Sequence, residues 1–284
     1  MKVRSEMRFI SRHSKRDMEL PRKRHELLNR IITSLRTNED VEGIFLGGSL
    51  AKGNEDHFSD IDLRIIVPDE QYKRFIFDKQ KLSAQFGNVL FFEDLNPNAP
   101  FTIAHYDQFI KLDLFIYTFQ TLKPSVWLKG IKVVHDPSGE LQEIVRQSEG
   151  LFYQVTREEV EAWSGKVYAY IHEVYRRVMR EEYYYALTMI SNLRSFIVKG
   201  WSMEVDRQPN DAWDWSKIEG SRSNLEPWQL SMLGRWSCGR DQEEIMKTLH
   251  SMIPELRRLH GNLCDKIGFG ENHNNFDKIV NLVL

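Results

Sequence analysis

The chain has little cysteine, two residues in 284. Cys238 and Cys264 are too few and too widely spaced for a disulfide framework or a zinc cage, so both read as ordinary thiols and the expected compartment is the cytoplasm. It lacks any apolar run of about 18 residues, which leaves no candidate for a membrane-spanning helix. It also lacks an excess of charge: 39 Lys and Arg stand against 41 Asp and Glu, a formal net charge of −2. Such a balance does not supply the counterion release by which proteins grip a polyphosphate backbone, and it favours a small substrate over a long nucleic acid. The basic opening, "MKVRSEMRFISRHSKRDMELPRKRHELL", has no apolar segment before a small-residue cleavage point. It therefore reads as a solvated charged face and not as a secretory signal. Internal repeats and low-complexity segments are absent as well.

What is present is enough apolar residue, 41% of the chain, to build one large core or two ordinary ones. A helix is predicted over "ELPRKRHELLNRIITSLRTN", with Pro21 in its first turn and Leu27, Ile31, Ile32 and Leu35 at helical spacing. Short runs rich in β-branched and aromatic residues, "VEGIFLGG", "DIDLRIIV", "NVLFFED" and "FIKLDLFIY", read as strands, and "IKVVHD" as an added edge strand closed by a turn at "PSGE". "DEQYKRFIFDKQKLSAQFG" reads as a helix between the second and third. After about Leu141 the strand signals fade and long helical patterns replace them. One of these opens with Thr156 and carries Glu159 three residues on, a capping-box pattern. The prediction is an α+β chain: a sheet domain over 1–140 and an all-helical domain over 141–284.

The chemistry concentrates in "GIFLGGSLAKGNEDHFSDIDLRIIV". On a strand, residues i and i+2 share a face, so Asp60 and Asp62 project together while Ile61 and Leu63 enter the core. Two adjacent like charges are costly unless a cation lies between them, and Mg²⁺, a hard ion that keeps substrate phosphates in its shell, is the natural partner. Asp113, between Leu112 and Leu114 in a later strand, is the expected third carboxylate, with Glu93 or Asp94 as alternatives. In "GGSLAKG", Gly47 and Gly48 let the backbone approach an anion, Ser49 offers a hydroxyl, and Lys52 offers a charge for the β- or γ-phosphate.

Gly48-Ser49 followed after ten residues by Asp60-Ile61-Asp62-Leu63, with a strand carboxylate beyond, resembles the pattern of the DNA polymerase β-like nucleotidyltransferase superfamily. The resemblance covers about Gly43 to Tyr117. It implies a mixed β-sheet flanked by helices, in which Asp60, Asp62 and Asp113 bind Mg²⁺, two ions in all, and Gly48 and Ser49 hold a nucleoside triphosphate. The sheet-then-helices layout is similar to the antibiotic nucleotidyltransferases that modify aminoglycosides or lincosamides, with the active site between the two domains. This implies transfer of a nucleoside monophosphate, AMP if the donor is ATP, to a hydroxyl of a small aminoglycoside-like acceptor. A protein or RNA hydroxyl as acceptor, and a silent nucleotide-binding protein, are the alternative expectations.

For the general base the first candidate is Asp113 and the second is Glu181 or Glu182, whose plainer role is an acidic helix start. Tyr183, Tyr184 and Tyr185 pattern as a helix with one core face, from which one ring would reach a base or sugar. Trp201, Trp213, Trp215, Trp228 and Trp236 among acidic residues suit either a cationic sugar or a small helical core. His273 has no partner at metal-ligand spacing and is expected in a polar loop.

Overall fold

A computed structural model describes residues 11–94, 96–211, 214–268 and 273–284, with the backbone alone for 273–275. The start of the basic opening segment, Trp213 and part of the "ENHNNF" run lie outside the described residues. The chain divides into two compact units, Met1–Leu151 and Phe152–Leu284.

The first unit is a six-stranded mixed sheet with helices. Helix α1 (Ser14–Arg36) leads into β1 (Gly43–Leu46), the short α2 (Gly48–Lys52), β2 (Ile61–Ile66), α3 (Asp69–Ala84), β3 (Val89–Phe92), β4 (Phe101–Tyr106), β5 (Ile110–Tyr117), β6 (Lys132–His135) and α4 (Glu140–Glu149). The strand order is β3-β4-β5-β2-β1-β6. Among the described residues β2 and β5 form the one parallel pair, and the other pairs are antiparallel. A parallel pair cannot be joined by a tight turn, and here α3 and the β3–β4 pair fill the crossover. "FTIAHY", not anticipated as a strand, forms β4. It alternates half-buried and buried side chains between two partners, and its pairing with β5 is what gives that strand a neighbour on each side.

Helix α1 begins at Ser14, so Pro21 sits inside it and not in its first turn. The apolar stripe Leu20, Leu27, Ile31 and Leu35 is fully buried against Ile61, Leu63, Ile65, Leu112, Leu114 and Ile116 of the sheet. Each such side chain removed from water contributes about 2 kcal/mol, ample to hold a helix whose proline forgoes one backbone bond. The opposite sheet face is covered differently. Phe45 and Ile66 pack with Leu122, Leu128, Leu141 and Ile144, so α4 belongs to the sheet unit. The division falls after Leu151, one helix later than the expected 140/141, because Leu141 and Ile144 find their apolar partners on the sheet and Ser148 Oγ accepts from Ser125 N at 3.1 Å.

The second unit is helical: α5 (Arg157–Met179), α6 (Tyr183–Glu204), α7 (Pro227–Arg235), α8 (Gln242–Lys266) and α9 (His273–Val280). Thr156 caps α5, its hydroxyl accepting from Glu159 N while the Glu159 carboxylate accepts from Thr156 N. Trp163, Val167, Ile171, Leu193, Ile197, Leu256 and Leu259 are among its buried core. Among the described residues no helix is long and apolar enough to cross a membrane.

Candidate active site

Strands β2 and β5 pair in register, Ile61 with Leu112, Asp62 with Asp113, and Arg64 with Phe115. Because side chains alternate, Ile61, Leu63, Leu112 and Leu114 enter the α1-side core, and Asp62, Arg64, Lys111, Asp113 and Phe115 rise on the other face. Asp60 stands just before β2, one step beyond the Ile61–Leu112 pair, and so beside Lys111. Three carboxylates predicted from sequence therefore share one patch of sheet. The loop that delivers Asp60 is tied to α1: the buried Arg24 donates through Nη1 to Asp56 O at 2.9 Å and to Ser59 O at 3.0 Å.

Two cations enter the carboxylate patch. Lys111 Nζ lies 2.8 Å from Asp60 Oδ2 and 3.1 Å from Asp113 Oδ2. Arg64 Nη1 lies 3.7 Å from Asp62 Oδ1, and its guanidinium sits 4.8 Å from the centre of the Phe115 ring. Burial pushes the Asp113 carboxyl above its ordinary range; Lys111 opposes that shift and the neighbouring Asp60 and Asp62 reinforce it. For Lys111, burial acts to lower the ammonium, but its bonds to Asp60 and Asp113 outweigh burial and leave it above its ordinary value. The cluster is incompletely satisfied. Asp113 Oδ1 and Arg64 Nε and Nη1 are buried without a hydrogen-bond partner. Buried polar atoms rarely stay so unless a ligand or strain accounts for them.

The glycine turn closes over this patch. Gly47 N donates to Asp62 O at 2.9 Å, fixing the turn to β2. Gly48 opens α2 with φ +59, and a Cβ there would lie 1.8 Å from Asp62 Oδ2. A Cβ on Gly47 would meet Arg64 Nη1 at 2.3 Å. Both glycines are thus required by close approach to the two charged side chains of β2, and Gly48 by its left-handed backbone also. Ser49 is buried beneath the turn, whereas Lys52 is exposed at the end of α2, its side chain reaching Gly130.

Other candidates have separate occupations. Asp94 accepts from Thr102 Oγ1 at 2.8 Å and from Ile103 N at 3.2 Å, and Glu93 pairs with His105, so both carboxylates are engaged with β4. Glu182 pairs with Arg177 at 2.6 Å, and Glu181 holds a left-handed φ of 60. Tyr185 lies under Arg177 and Tyr184 under Arg240, at 4.1 and 4.8 Å. Trp201 and Trp236 are buried and stacked on each other, and Trp201 Nε1 donates to Glu255 Oε1 at 2.5 Å. At these two residues the tryptophan-rich region is helical core, the second of its two readings. His273 begins a helix in place of the expected loop.

Sequence reasoning passed over Lys111 and Arg64. Their signal was available, since each is a charged residue two positions from a site aspartate in an otherwise apolar strand. A hollow of ≈ 300 Å³ opens beside Asp60 and Lys111, walled by Phe58, Phe91, His105 and Phe109. Phe91 and His105 stack there at 4.2 Å.

Among the described residues no group of three His, Cys, Asp or Glu side chains is arranged, as they stand, to hold a metal ion. The donor chemistry nonetheless suits a hard divalent cation: three carboxylates on one face, one of them with a buried oxygen lacking a partner.

The model of the family described as streptomycin adenylyltransferase matches residues 21–282. Among solved structures, an aminoglycoside 6-adenyltransferase from Bacillus subtilis is similar at 14% identity, covering 92% of this chain and 98% of that one, with a TM-score of 0.39. A nucleotidyltransferase-like protein from Exiguobacterium sibiricum 255-15 is similar at 11% identity, covering 85% and 77%, with a TM-score of 0.43. No curated protein matches the chain.

Proposed function

We propose, from the premise that the chain belongs to the streptomycin adenylyltransferase family, that it transfers AMP from ATP to a hydroxyl of an aminoglycoside-like small molecule in a Mg²⁺-dependent reaction. That it is a nucleotidyltransferase follows from the family; the donor, the metal and the acceptor are the proposal. The observation that carries it is the parallel β2–β5 register, which puts Asp62 beside Asp113 under the Gly48 turn.

In this reading Asp60, Asp62 and Asp113 hold Mg²⁺, which when bound neutralises the triphosphate and lowers the pKa of the attacking hydroxyl. The backbone at Gly47, Gly48 and Ser49 receives the phosphates, and Lys52 adds a mobile positive charge at the end of α2. The acceptor oxygen forms a bond to the α-phosphorus as the bond to the β-phosphate oxygen breaks, and pyrophosphate leaves. The hydroxyl proton passes to Asp113, whose buried Oδ1 has no hydrogen-bond partner. Arg64, wedged between Gly47 and Phe115, holds Asp62 and the turn in register, so most of the rate gain comes from fixed positions and fixed charge. The hollow beside Asp60 gives a ring-sized acceptor room at the patch edge.

The test is incubation of the purified protein with Mg²⁺, each of ATP, GTP, CTP and UTP, and a panel of aminoglycosides and lincosamides, following pyrophosphate release and drug mass. An AMP-sized gain on an aminoglycoside is expected. Pyrophosphate release only with protein or RNA hydroxyls would overturn the acceptor assignment, and Mg·ATP binding without any turnover would point to the silent alternative.

A further inference from the structure

Carboxylates gathered on one sheet face repel one another, and in this chain part of the relief comes from a side chain of the same sheet. Lys111 stands two residues before Asp113 on β5, so it rises on the same face, and the strand register sets it beside Asp60. Its ammonium lies 2.8 Å from one oxygen of Asp60 and 3.1 Å from one oxygen of Asp113. A divalent cation held by those carboxylates would need the same region of space, and two cations would not share it.

We propose that Lys111 is an internal competitor for the metal site: its ammonium holds Asp60 and Asp113 together in the metal-free chain and leaves them when a divalent ion binds. The inference rests on the metal assignment made above and adds to it an exchange step built into β5. Three observations carry it. Asp113 is divided, with Oδ2 on Lys111 and Oδ1 buried and without a partner, so the lysine satisfies only part of the group. The ammonium has somewhere to go, because Lys111 lines the ≈ 300 Å³ hollow beside Asp60 and is a third exposed along its side chain. A flexible four-carbon stem makes that swing without moving the strand. Arg64 is the contrasting case, since it is more deeply buried, under Gly47 and over Phe115, and stays in place.

Metal affinity is then set by exchange. Removing the ammonium leaves the carboxylates without their internal counter-ion, so Lys111→Met should bind a divalent ion about tenfold more tightly, the scale of one lost charge-assisted hydrogen bond. The same variant should melt at lower temperature than the wild type without metal, the difference closing as metal saturates.

The experiment uses the full chain and two readouts. Mn²⁺ binding is followed by loss of the free-ion electron paramagnetic resonance signal, for the wild type and for Lys111→Met. Amine acetylation of the wild type is mapped by mass spectrometry with and without saturating Mg²⁺, with the exposed Lys132 as internal reference. Lys111 should be labelled slowly without metal and several-fold faster with it, and the variant should bind Mn²⁺ more tightly. If Mn²⁺ binds but Lys111 labelling does not rise, or the variant binds no more tightly, the exchange is overturned while the metal assignment stands. If neither chain binds Mn²⁺, the metal assignment falls and the exchange falls with it. The labelling readout needs no variant, so a Lys111→Met chain that fails to fold does not shelter the proposal.

Discussion

Among the described residues a partly buried charge cluster in the helical unit and another in the sheet unit are finished to different degrees. In the helical unit Glu255 accepts from Trp201 Nε1 at 2.5 Å and from Arg258 at 2.6 and 2.9 Å. Glu204 beside it accepts from Arg258 and from Asn262 at 2.6 and 2.5 Å. In the sheet unit Asp60, Asp62 and Asp113 crowd together, with Lys111 and Arg64 inserted among them, and still leave Asp113 Oδ1 and two Arg64 nitrogens without a hydrogen bond. The first cluster is closed by the protein's own donors and serves the fold. The second leaves buried polar atoms without hydrogen bonds, the pattern that the proposed metal and nucleotide site would show.

The largest way to test that contrast is to remove a charge from each. Asp60→Ala or Asp62→Ala should lower the rate of nucleotide transfer by at least about 10³-fold, measured as pyrophosphate release; Asp60→Ala should do so while changing stability by about 1 kcal/mol or less, because Lys111 keeps Asp113 as its counter-ion. Retained turnover in either variant would sink their assignment. Glu255→Ala should do the reverse. It leaves Trp201 Nε1 buried without its acceptor and Arg258 with one carboxylate fewer, so a loss of about 2 kcal/mol in denaturant unfolding is expected, with transfer per folded molecule retained.

Gly48→Ala falls between the two. Its methyl group would collide with the Asp62 carboxylate and impose a left-handed φ on alanine, at a cost of about 1–2 kcal/mol in a thermal melt. Because the displaced group is a site carboxylate, activity should fall further than stability does. A variant with normal turnover would show that Asp62 need not lie against the turn.

The smallest effect is a pH dependence in the closed cluster. Burial acts to raise the Glu204 carboxyl, but hydrogen bonds from Arg258 and Asn262 and the charges of Arg258 and Lys266 overcome it and hold the group below its ordinary 4.5. A carboxyl lowered on folding stabilises the chain fully above the unfolded value and loses that contribution as pH falls through the folded value. The melting difference between wild type and Glu204→Gln should therefore be constant above about pH 5 and shrink below it. A difference that grows on acidification would mean the network does not favour the ionised form.

Much of the sheet unit was legible because its signals are local. Alternation in "DIDLRIIV" and "FIKLDLFIY" gave both strands and the face of Asp62 and Asp113, and Thr156 with Glu159 gave the start of α5. Strand β4 escaped notice because "FTIAHY" sits among turn residues and shows its pattern only when paired on both sides. Pro21 was misplaced because burial of the Leu20 to Leu35 stripe outweighs the cost of a proline inside a helix. The tryptophan cluster was ambiguous because composition does not distinguish rings that face a ligand from rings that face each other, and Trp201 and Trp236 do the latter.

The sequence alone therefore determined which residue types are available to the site and at what spacing, because strand periodicity and the glycine turn are properties of a few consecutive residues. The tertiary structure decided which of them meet. Asp62 and Asp113 lie far apart along the chain and become neighbours only through the parallel pairing of β2 with β5, a long-range register set by the buried Ile61, Leu63, Leu112 and Leu114 on the opposite face. The same pairing placed Lys111 between two carboxylates, a contact no single stretch of sequence contains.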